Sequence, residues 1–576
     1  MIVELFTIPA VILIAGAFML PLLPRQARGT AFILFPTIAL GVLWMLPEGS
    51  LLQATLANYE LHLLTVDALS RIFGTIFALI TIVGGIYALH MKELGQQASA
   101  LAYAGGALGV TFAGDFFTLI VYWEIMAVTS SYLIWARRTE RSDKAGMRYI
   151  LVHALGGGLL LSGVLLHLSE GGSLLLGPLA PEHTLSSTLM LTGVAINSAI
   201  PPLHAWLADA YPKATITGAV FMCALTTKSA VYVLIRLFPG WDILIWAGLT
   251  MAVWGTIYAL LANDIREILA YSIISQIGYM VTGIGIGTEM ALNGAAAHAF
   301  SHILYKSLLF MGAGAVMYAT GKNKLSELGG FAKKMPLVVI LYIIGGLAIS
   351  GAPLFNGFIS KSMIISAVGD AHMETATIIL LLASIGTFLH TGLKLPYFTW
   401  FGPAKSEFTV DQVPVNMKIA MGIAAFFCVL FGVFPSLLYT YLPYPVEYHP
   451  YTAYHLVEMT QILIFGFIGF WFLKDKLNTA PNISLDLDWF YRRPARLVRT
   501  VFVRFPDRVF AAAEDIVLKA AQGISRISRN PRKYFYSGDT DASGRPVKTD
   551  DFTAPIHAAM AFILLGFILM ALFVLV

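Results

Sequence analysis

Apolar runs of about 20 residues recur along the chain between short polar connections, and a run of that length crosses a bilayer core as an α-helix. The runs predict about sixteen membrane helices, at residues 4–23, 30–47, 67–90, 98–114, 116–136, 147–168, 187–207, 215–237, 242–262, 267–288, 295–318, 336–366, 375–400, 415–440, 454–474 and 553–576. Two runs are interrupted, 187–207 at Pro201-Pro202 and 336–366 through Gly351-Ala352-Pro353 and Asn356-Gly357. Helices satisfy their own backbone groups, which lipid cannot do, and the short alternating segments of a membrane barrel are not seen. The predicted fold is an all-α polytopic membrane protein. Its first run carries Glu4 and lacks a basic leader, so it is read as a retained helix rather than a cleaved signal.

The interruptions suggest an internal repeat. After N-terminal membrane helices in 1–97, a core over 98–400 divides into five-helix units, 98–237 and 242–400, each with its broken helix in the fourth position. An odd number of crossings per unit makes such repeats inverted, an architecture that places sites near the midplane. Further membrane helices follow in 401–480. Residues 481–552 differ: Arg492, Arg493, Arg496, Arg499, Arg504 and Arg508 stand among apolar positions Val501, Phe505, Val509, Ile516 and Ile524 at roughly helical spacing. This predicts an amphipathic lateral helix on the cytoplasmic surface, then a polar linker at 537–551 and a last membrane helix at 553–576. Anionic lipids are one partner for the basic helix; neighbouring subunits are another.

The loop charges orient the chain. With the N-terminus outside, inside loops receive Arg25, Arg28, Lys92, Arg137, Arg138, Arg141, Lys144, Arg148, Lys213, Arg266, Lys322, Lys324, Lys333, Lys334 and Lys405. Outside loops receive Glu48, Glu60, Glu170, Glu182, Asp242, Glu289, Asp370, Glu374 and Glu447, with essentially no Lys or Arg. This is the positive-inside pattern, and it implies a multi-pass protein of the cell inner membrane.

Composition agrees. Of 576 residues, 57% are hydrophobic and 12% charged, about half the charge of a soluble domain. Cys223 and Cys428 both lie in apolar runs with no CxxC, which argues against an iron–sulfur site. No cofactor, metal or nucleic acid is implied.

An ionisable side chain at membrane depth costs several kcal/mol unless paired or hydrated, so each is a candidate for function. Glu124 sits mid-helix in FFTLIVYWEIMAVTSSYLIW, where packing alone is an expensive use of a carboxyl. Lys228 lies two to three turns from the helix end at Arg236, deep for a snorkelling side chain. His298, His302 and Lys306 follow one another at spacings of four, which puts them on one helix face over about 12 Å. Lys361 follows the second break, either as a gate or as a cap on freed carbonyls. His390 and Lys394 are weaker candidates, because Lys394 is near enough to the cytoplasmic end to snorkel.

At these residues the chain resembles the antiporter-like subunits shared by Mrp-type cation/proton antiporters and the NADH:quinone oxidoreductase, respiratory complex I; among them it looks most like the D component of the Mrp antiporters. The matching segments are VYWE (121–124), PPLHAWLADAYPKA (201–214), LTTKSAVYVLIR (225–236), NDIREILAYSIISQIGYM (263–280), HAFSHILYKSLLFMGAGAV (298–316) and GAPLFNGFISK (351–361). The resemblance covers roughly residues 60–440. It implies a half-channel in each repeat, joined by a hydrated axis of charged groups. Glu124 matches the family's glutamate and Lys228 its connecting lysine. His298, His302 and Lys306 match the second-half relay, Lys361 the lysine of the second broken helix, and His204 falls in the matching PLH segment. One departure stands out: Asn197 occupies the place of a family lysine, five residues before Pro202, that pairs with the glutamate. Ser362 also replaces an acid found in some relatives.

The expected function is translocation of protons, alone or in exchange for Na⁺, by one subunit of a heteromeric membrane assembly. The chain is not a catalyst by itself. Two alternatives remain: a proton-translocating membrane arm of a redox complex of NADH dehydrogenase or hydrogenase type, and a scaffold that has lost its path.

Overall fold

The computed structural model describes residues 7–56, 58–405, 409–477, 486–492, 494–529, 560–567 and 570. It divides into a large unit, Met1–Ser484, and a second unit, Leu485–Val576. The large unit opens with α1 (Pro9–Met19) and α2 (Arg25–Met45), then β1 (Gly49–Leu56) and β2 (Tyr59–Val66). There follow α3 (Ala68–Tyr87), α4 (Leu94–Phe112), α5 (Phe116–Trp135), α6 (Glu140–Ser169), α7 (Leu185–Asn197), α8 (Ala205–Ala210), α9 (Gly218–Ala224) and α10 (Thr226–Leu237). Next come α11 (Asp242–Leu261), α12 (Ile265–Ile286), α13 (Glu289–Thr320), α14 (Pro336–Ser350), α15 (Asn356–Asp370) and α16 (Glu374–Thr387). The unit closes with α17 (Val415–Val433), α18 (Ser436–Tyr439) and α19 (Ala453–Leu473).

Among the described residues, 11 helices are long and apolar enough to cross a membrane, and shorter apolar helices stand at Pro9–Leu22, Leu185–Asn197 and Pro336–Ser350. The last two of these arise because two predicted runs are split, as the proline and glycine positions require. The first run ends at Asn197 and restarts at Ala205; the second ends at Ser350 and restarts at Asn356. Gly351 closes α14 in the left-handed region, φ 76°, which glycine adopts without strain.

A third interruption is not signalled by Pro or Gly. The predicted helix 215–237 is broken at Leu225 (φ −97°, ψ −66°) into α9 and α10. Here the hydroxyl of Tyr103, from α4, accepts from the Thr226 amide at 2.9 Å, taking the place of a helical carbonyl. The predicted helix 375–400 also changes character, widening into π-helical turns at Phe388–Lys394 and Tyr397–Phe401.

Residues 49–66, expected as a connection, form an antiparallel hairpin pairing Gly49 with Val66 and Leu56 with Tyr59. Asn58 turns the chain at φ 69°, a conformation asparagine tolerates. The hairpin is tied to the start of α5, because Asp115 accepts from the His62 amide at 2.8 Å and the His62 carbonyl accepts from Gly114 at 2.9 Å.

Helices α11 and α12 meet backbone to backbone. Gly248 on one helix lies against Gly278 on the other, Gly255 against Tyr271 and Ser275, and Gly285 against Leu244 and Ile245. A methyl on Gly278 would lie 2.5 Å from the Gly248 carbonyl and 2.6 Å from the Ala252 nitrogen, and one on Gly285 would lie 2.5 Å from the Ile245 nitrogen. Small residues let backbones meet in this way where lipid offers no hydrophobic drive.

At one end of α3 Asp67 caps the helix, accepting from Ser70 at 2.8 Å, and pairs with Arg236 at 2.5 Å. Burial pulls the Asp67 carboxyl upward, but the Arg236 guanidinium outweighs it and holds the carboxyl below its usual range. A depressed carboxylate stabilises the fold above its unfolded pKa and loses that contribution as pH falls through the folded one. Asp67→Ala is therefore expected to lower heat stability at pH 7 by about 1 kcal/mol, with the difference from wild type shrinking below about pH 3. Thermal unfolding of the detergent-solubilised assembly at both values checks this.

The second unit contains short helices Asp488–Arg492 and Ala495–Arg499, a π-helical turn at Thr500–Arg504, and α22 (Phe505–Arg529), with those short helices counted as α20 and α21. Val501, Phe505, Val509, Ile516 and Ile524 are all exposed in it. The side chains of Arg492, Arg493 and Arg496, the linker at 537–551 and most of the predicted helix at 553–576 lie outside the described residues.

Candidate functional site

Each helix break frees a backbone carbonyl inside the bundle, where no water is assured, and a side chain takes it up. At the first break Trp206 Nε1 donates to the Ile196 carbonyl at 2.8 Å. At Leu225, Lys228 Nζ donates to the Cys223 carbonyl at 2.6 Å and to Thr227 Oγ1 at 3.2 Å. At the second break Lys361 Nζ donates to the Ile349 carbonyl at 2.9 Å and to Ser384 Oγ at 3.4 Å, and lies 5.1 Å from the centre of the Tyr279 ring. Both lysines are fully buried.

Helix α13 runs through the interior carrying His298, His302 and Lys306, each with no exposed surface. His298 Nδ1 meets Ser360 Oγ at 2.9 Å, next to Lys361, and its Nε2 meets Tyr305 OH at 3.4 Å. That hydroxyl reaches Gln276 Oε1 at 3.5 Å, and Gln276 donates on to Thr387 at 3.1 Å. Lys306 donates to Ser272 Oγ and to the Leu269 carbonyl. His302 packs against Tyr305 at 5.2 Å between ring centres, and both its ring nitrogens are buried without a protein partner among the described residues. Such groups are costly to bury, so this histidine marks a place where a mobile donor or acceptor is expected. Toward α9, Ser307 Oγ lies 3.7 Å from Cys223 Sγ, whose own carbonyl holds Lys228. The structure thus brings Lys228, Lys306, His298, His302 and Lys361 onto one buried polar line.

In the first half, Glu124 projects from α5 and is only partly buried. Its carboxylate lies against the backbone of Gly157 on α6, so closely that a methyl at Gly157 would collide with Oε1. Asn197, the last residue of α7, accepts from His153 Nδ1 at 2.8 Å. His153 was not among the sequence candidates, and its only signal was a histidine in the apolar run 147–168. Beside it lies a hydroxyl cluster, equally unforeseen. Tyr149 OH meets Ser130 Oγ at 2.9 Å and Thr226 Oγ1 at 3.3 Å, and Tyr103 OH meets Thr226 Oγ1 at 2.5 Å.

The weaker candidates separate. His204 is buried just before α8, its ring 5.6 Å from Trp254. His390 shares a hydrogen with Thr391 Oγ1 at 2.7 Å. Lys394 donates to the carbonyls of Leu260 and Ala262, the latter at 3.1 Å, and so closes the end of α11. Ser362 donates to the Phe358 carbonyl within its own helix.

A cavity of about 830 Å³ is lined by Glu289, Asp370, Glu447, His449 and His455, with Asn293 and Ser366 also on its wall. Those two residues are each five positions from His298 and Lys361, about 7.5 Å of helix rise.

Broken helices, buried lysines and a polar interior define the class: a multi-pass membrane protein of transporter architecture. Residues 113–389 match the family model described as NADH:quinone oxidoreductase/Mrp antiporter, transmembrane. The chain is 32% identical over 360 residues to an uncharacterized protein of Methanocaldococcus jannaschii, covering 58% of this chain and 73% of that one. It is 32% identical over 353 residues to the D component of the Na⁺/H⁺ antiporter of Alkalihalophilus pseudofirmus, covering 56% and 71%. Several other relatives are spanned over 40% to 63% of their length. A chain of the membrane-bound sulfane sulfur reductase, an archaeal respiratory membrane complex, has the same fold (TM-score 0.69, 24% identity), over 97% of this chain and 99% of that one. This chain belongs to the NADH:quinone oxidoreductase/Mrp antiporter transmembrane family.

Proposed function

We propose that this chain moves protons, alone or in exchange for Na⁺, by way of Glu124 and the buried line of Lys228, Lys306, His302, His298 and Lys361, as one subunit of a heteromeric inner-membrane assembly. The observation that carries the reading is the set of fully buried titratable groups on α10, α13 and α15, of which Lys228, His298, Lys306 and Lys361 meet hydroxyls. Lys228 and Lys361 cap freed carbonyls, but three lysines and two histidines at that depth are a costly way to close a fold. Protonation of one group biases its neighbours across a low-dielectric interior. In this reading the N-terminus is outside, the acidic cavity at Glu289, Asp370 and Glu447 is the outer mouth of the second half, and the basic lateral helix lies on the cytoplasmic side.

A second reading, a membrane arm driven by a partner's redox chemistry, draws support from the match to the reductase chain, which takes in 97% of this chain. The same residues conduct in both; the energy source differs.

The test is pH-gradient formation in vesicles carrying the whole assembly, for wild type, Glu124→Gln and Lys361→Ala, each checked for normal assembly. Loss in both variants is the expected result. Loss in Lys361→Ala alone confines the path to the second half, and no loss in either leaves a scaffold and refutes the proposal.

A further inference from the structure

Asn197 cannot carry the charge that the family resemblance assigns to its position, yet its side chain is engaged. It accepts from His153 Nδ1 at 2.8 Å, and His153 is buried on α6. One turn further along α6 is Gly157, against which the Glu124 carboxylate packs. A spacing of four places the two positions on one helix face, about 6 Å apart along the axis.

The surroundings of this imidazole are specific. Tyr149 lies against the ring at 4.1 Å between centres, and Trp206 meets it edge-on at 4.5 Å. Trp206 is fixed in turn by its bond to the Ile196 carbonyl at the first break. With Nδ1–H given to the Asn197 carbonyl, the tautomer is set and Nε2 keeps its lone pair. Nε2 is buried without a protein partner among the described residues. Aromatic faces and an amide carbonyl are groups that can hold an imidazolium.

We propose that His153 is the protonatable partner of Glu124 in the first half: Nε2 takes the proton the carboxyl gives up and returns it, so that the His153–Asn197 pair fills the place of a lysine at position 197. No electrons move, and each proton gained at Nε2 is one lost at the carboxyl. The Tyr149 hydroxyl, bonded to Thr226 at the start of α10, lies on the side toward Lys228. The inference rests on the translocation reading above.

Its test uses the complete assembly in vesicles, with Lys361→Ala alongside. His153→Gln is expected to lower the initial rate of pH-gradient formation at least about tenfold, and adding Asn197→Lys to that variant to restore it to within about threefold of wild type. If His153→Gln keeps the wild-type rate while Lys361→Ala abolishes it, the His153 proposal falls and translocation stands. If neither variant lowers the rate, translocation itself falls. A loss that Asn197→Lys does not restore assigns His153 to packing and also overturns the proposal. Should His153→Gln fail to assemble, the near-isosteric Asn197→Asp decides. A carboxylate beside Nδ1 holds the imidazolium charged, so the rate is expected to drop at least about tenfold, and an unchanged rate overturns the proposal.

Discussion

Replacing Lys228 with methionine is expected to give an assembly that folds as well as the wild type and forms no pH gradient. Two effects on stability oppose one another. The Cys223 carbonyl loses its donor, which costs about 1–3 kcal/mol for a buried acceptor. The fold also no longer buries an ammonium, a penalty of several kcal/mol even after relaxation, and the second effect is at least as large as the first. Translocation has no such compensation. Lys228 lies at the break in the first half and connects through Cys223 and Ser307 to the α13 line. Removing it should stop transfer between the halves. Heat denaturation and pH-gradient formation, measured on one preparation, check the pair of outcomes; a variant that transports at the wild-type rate removes Lys228 from the path.

Gly357→Ala is expected to do the reverse, damaging the fold first. Gly357 stands in the opening turn of α15, and a methyl there would collide with the Ala348 carbonyl in the last turn of α14. The obstructing atom is backbone, so no rotamer change relieves it, and the two half-helices must separate. Overpacking of this kind costs about 3 kcal/mol, a large share of a marginal stability. Reduced yield of assembled complex and a lowered unfolding temperature are the measurements. Normal yield with normal stability would mean that the second break is loosely packed.

Where the chain breaks was partly legible in the residues. Pro201-Pro202 and Gly351 through Gly357 announce themselves because they withhold a donor or adopt φ values that helices cannot. Leu225 does not. Its break is met by Tyr103, more than a hundred residues earlier, supplying an acceptor to Thr226, while Lys228 takes up the Cys223 carbonyl. Hydropathy along 215–237 is the same with or without that arrangement. The hairpin at 49–66 had a weak signal in Asn58 and the apolar residues of β2, obscured because those residues bury against the helical bundle rather than alternating strictly. The candidate site followed the same division. Lysines and paired histidines stand out against lipid from composition alone. His153 did not, because a single histidine in an apolar run is ordinarily a core residue; what distinguishes it is Asn197 and Trp206, brought to it from the two sides of a helix break.

The seam between α11 and α12 has a mechanical consequence. Side chains that interdigitate can re-pack when helices slide, but glycine against backbone leaves nothing to rearrange, and any relative displacement opens a void or forces carbonyl onto nitrogen. These two helices therefore travel as one body through any cycle of the protein. Because α12 carries Ser272 and Gln276, the partners of Lys306 and Tyr305, one wall of the proposed path belongs to this rigid pair.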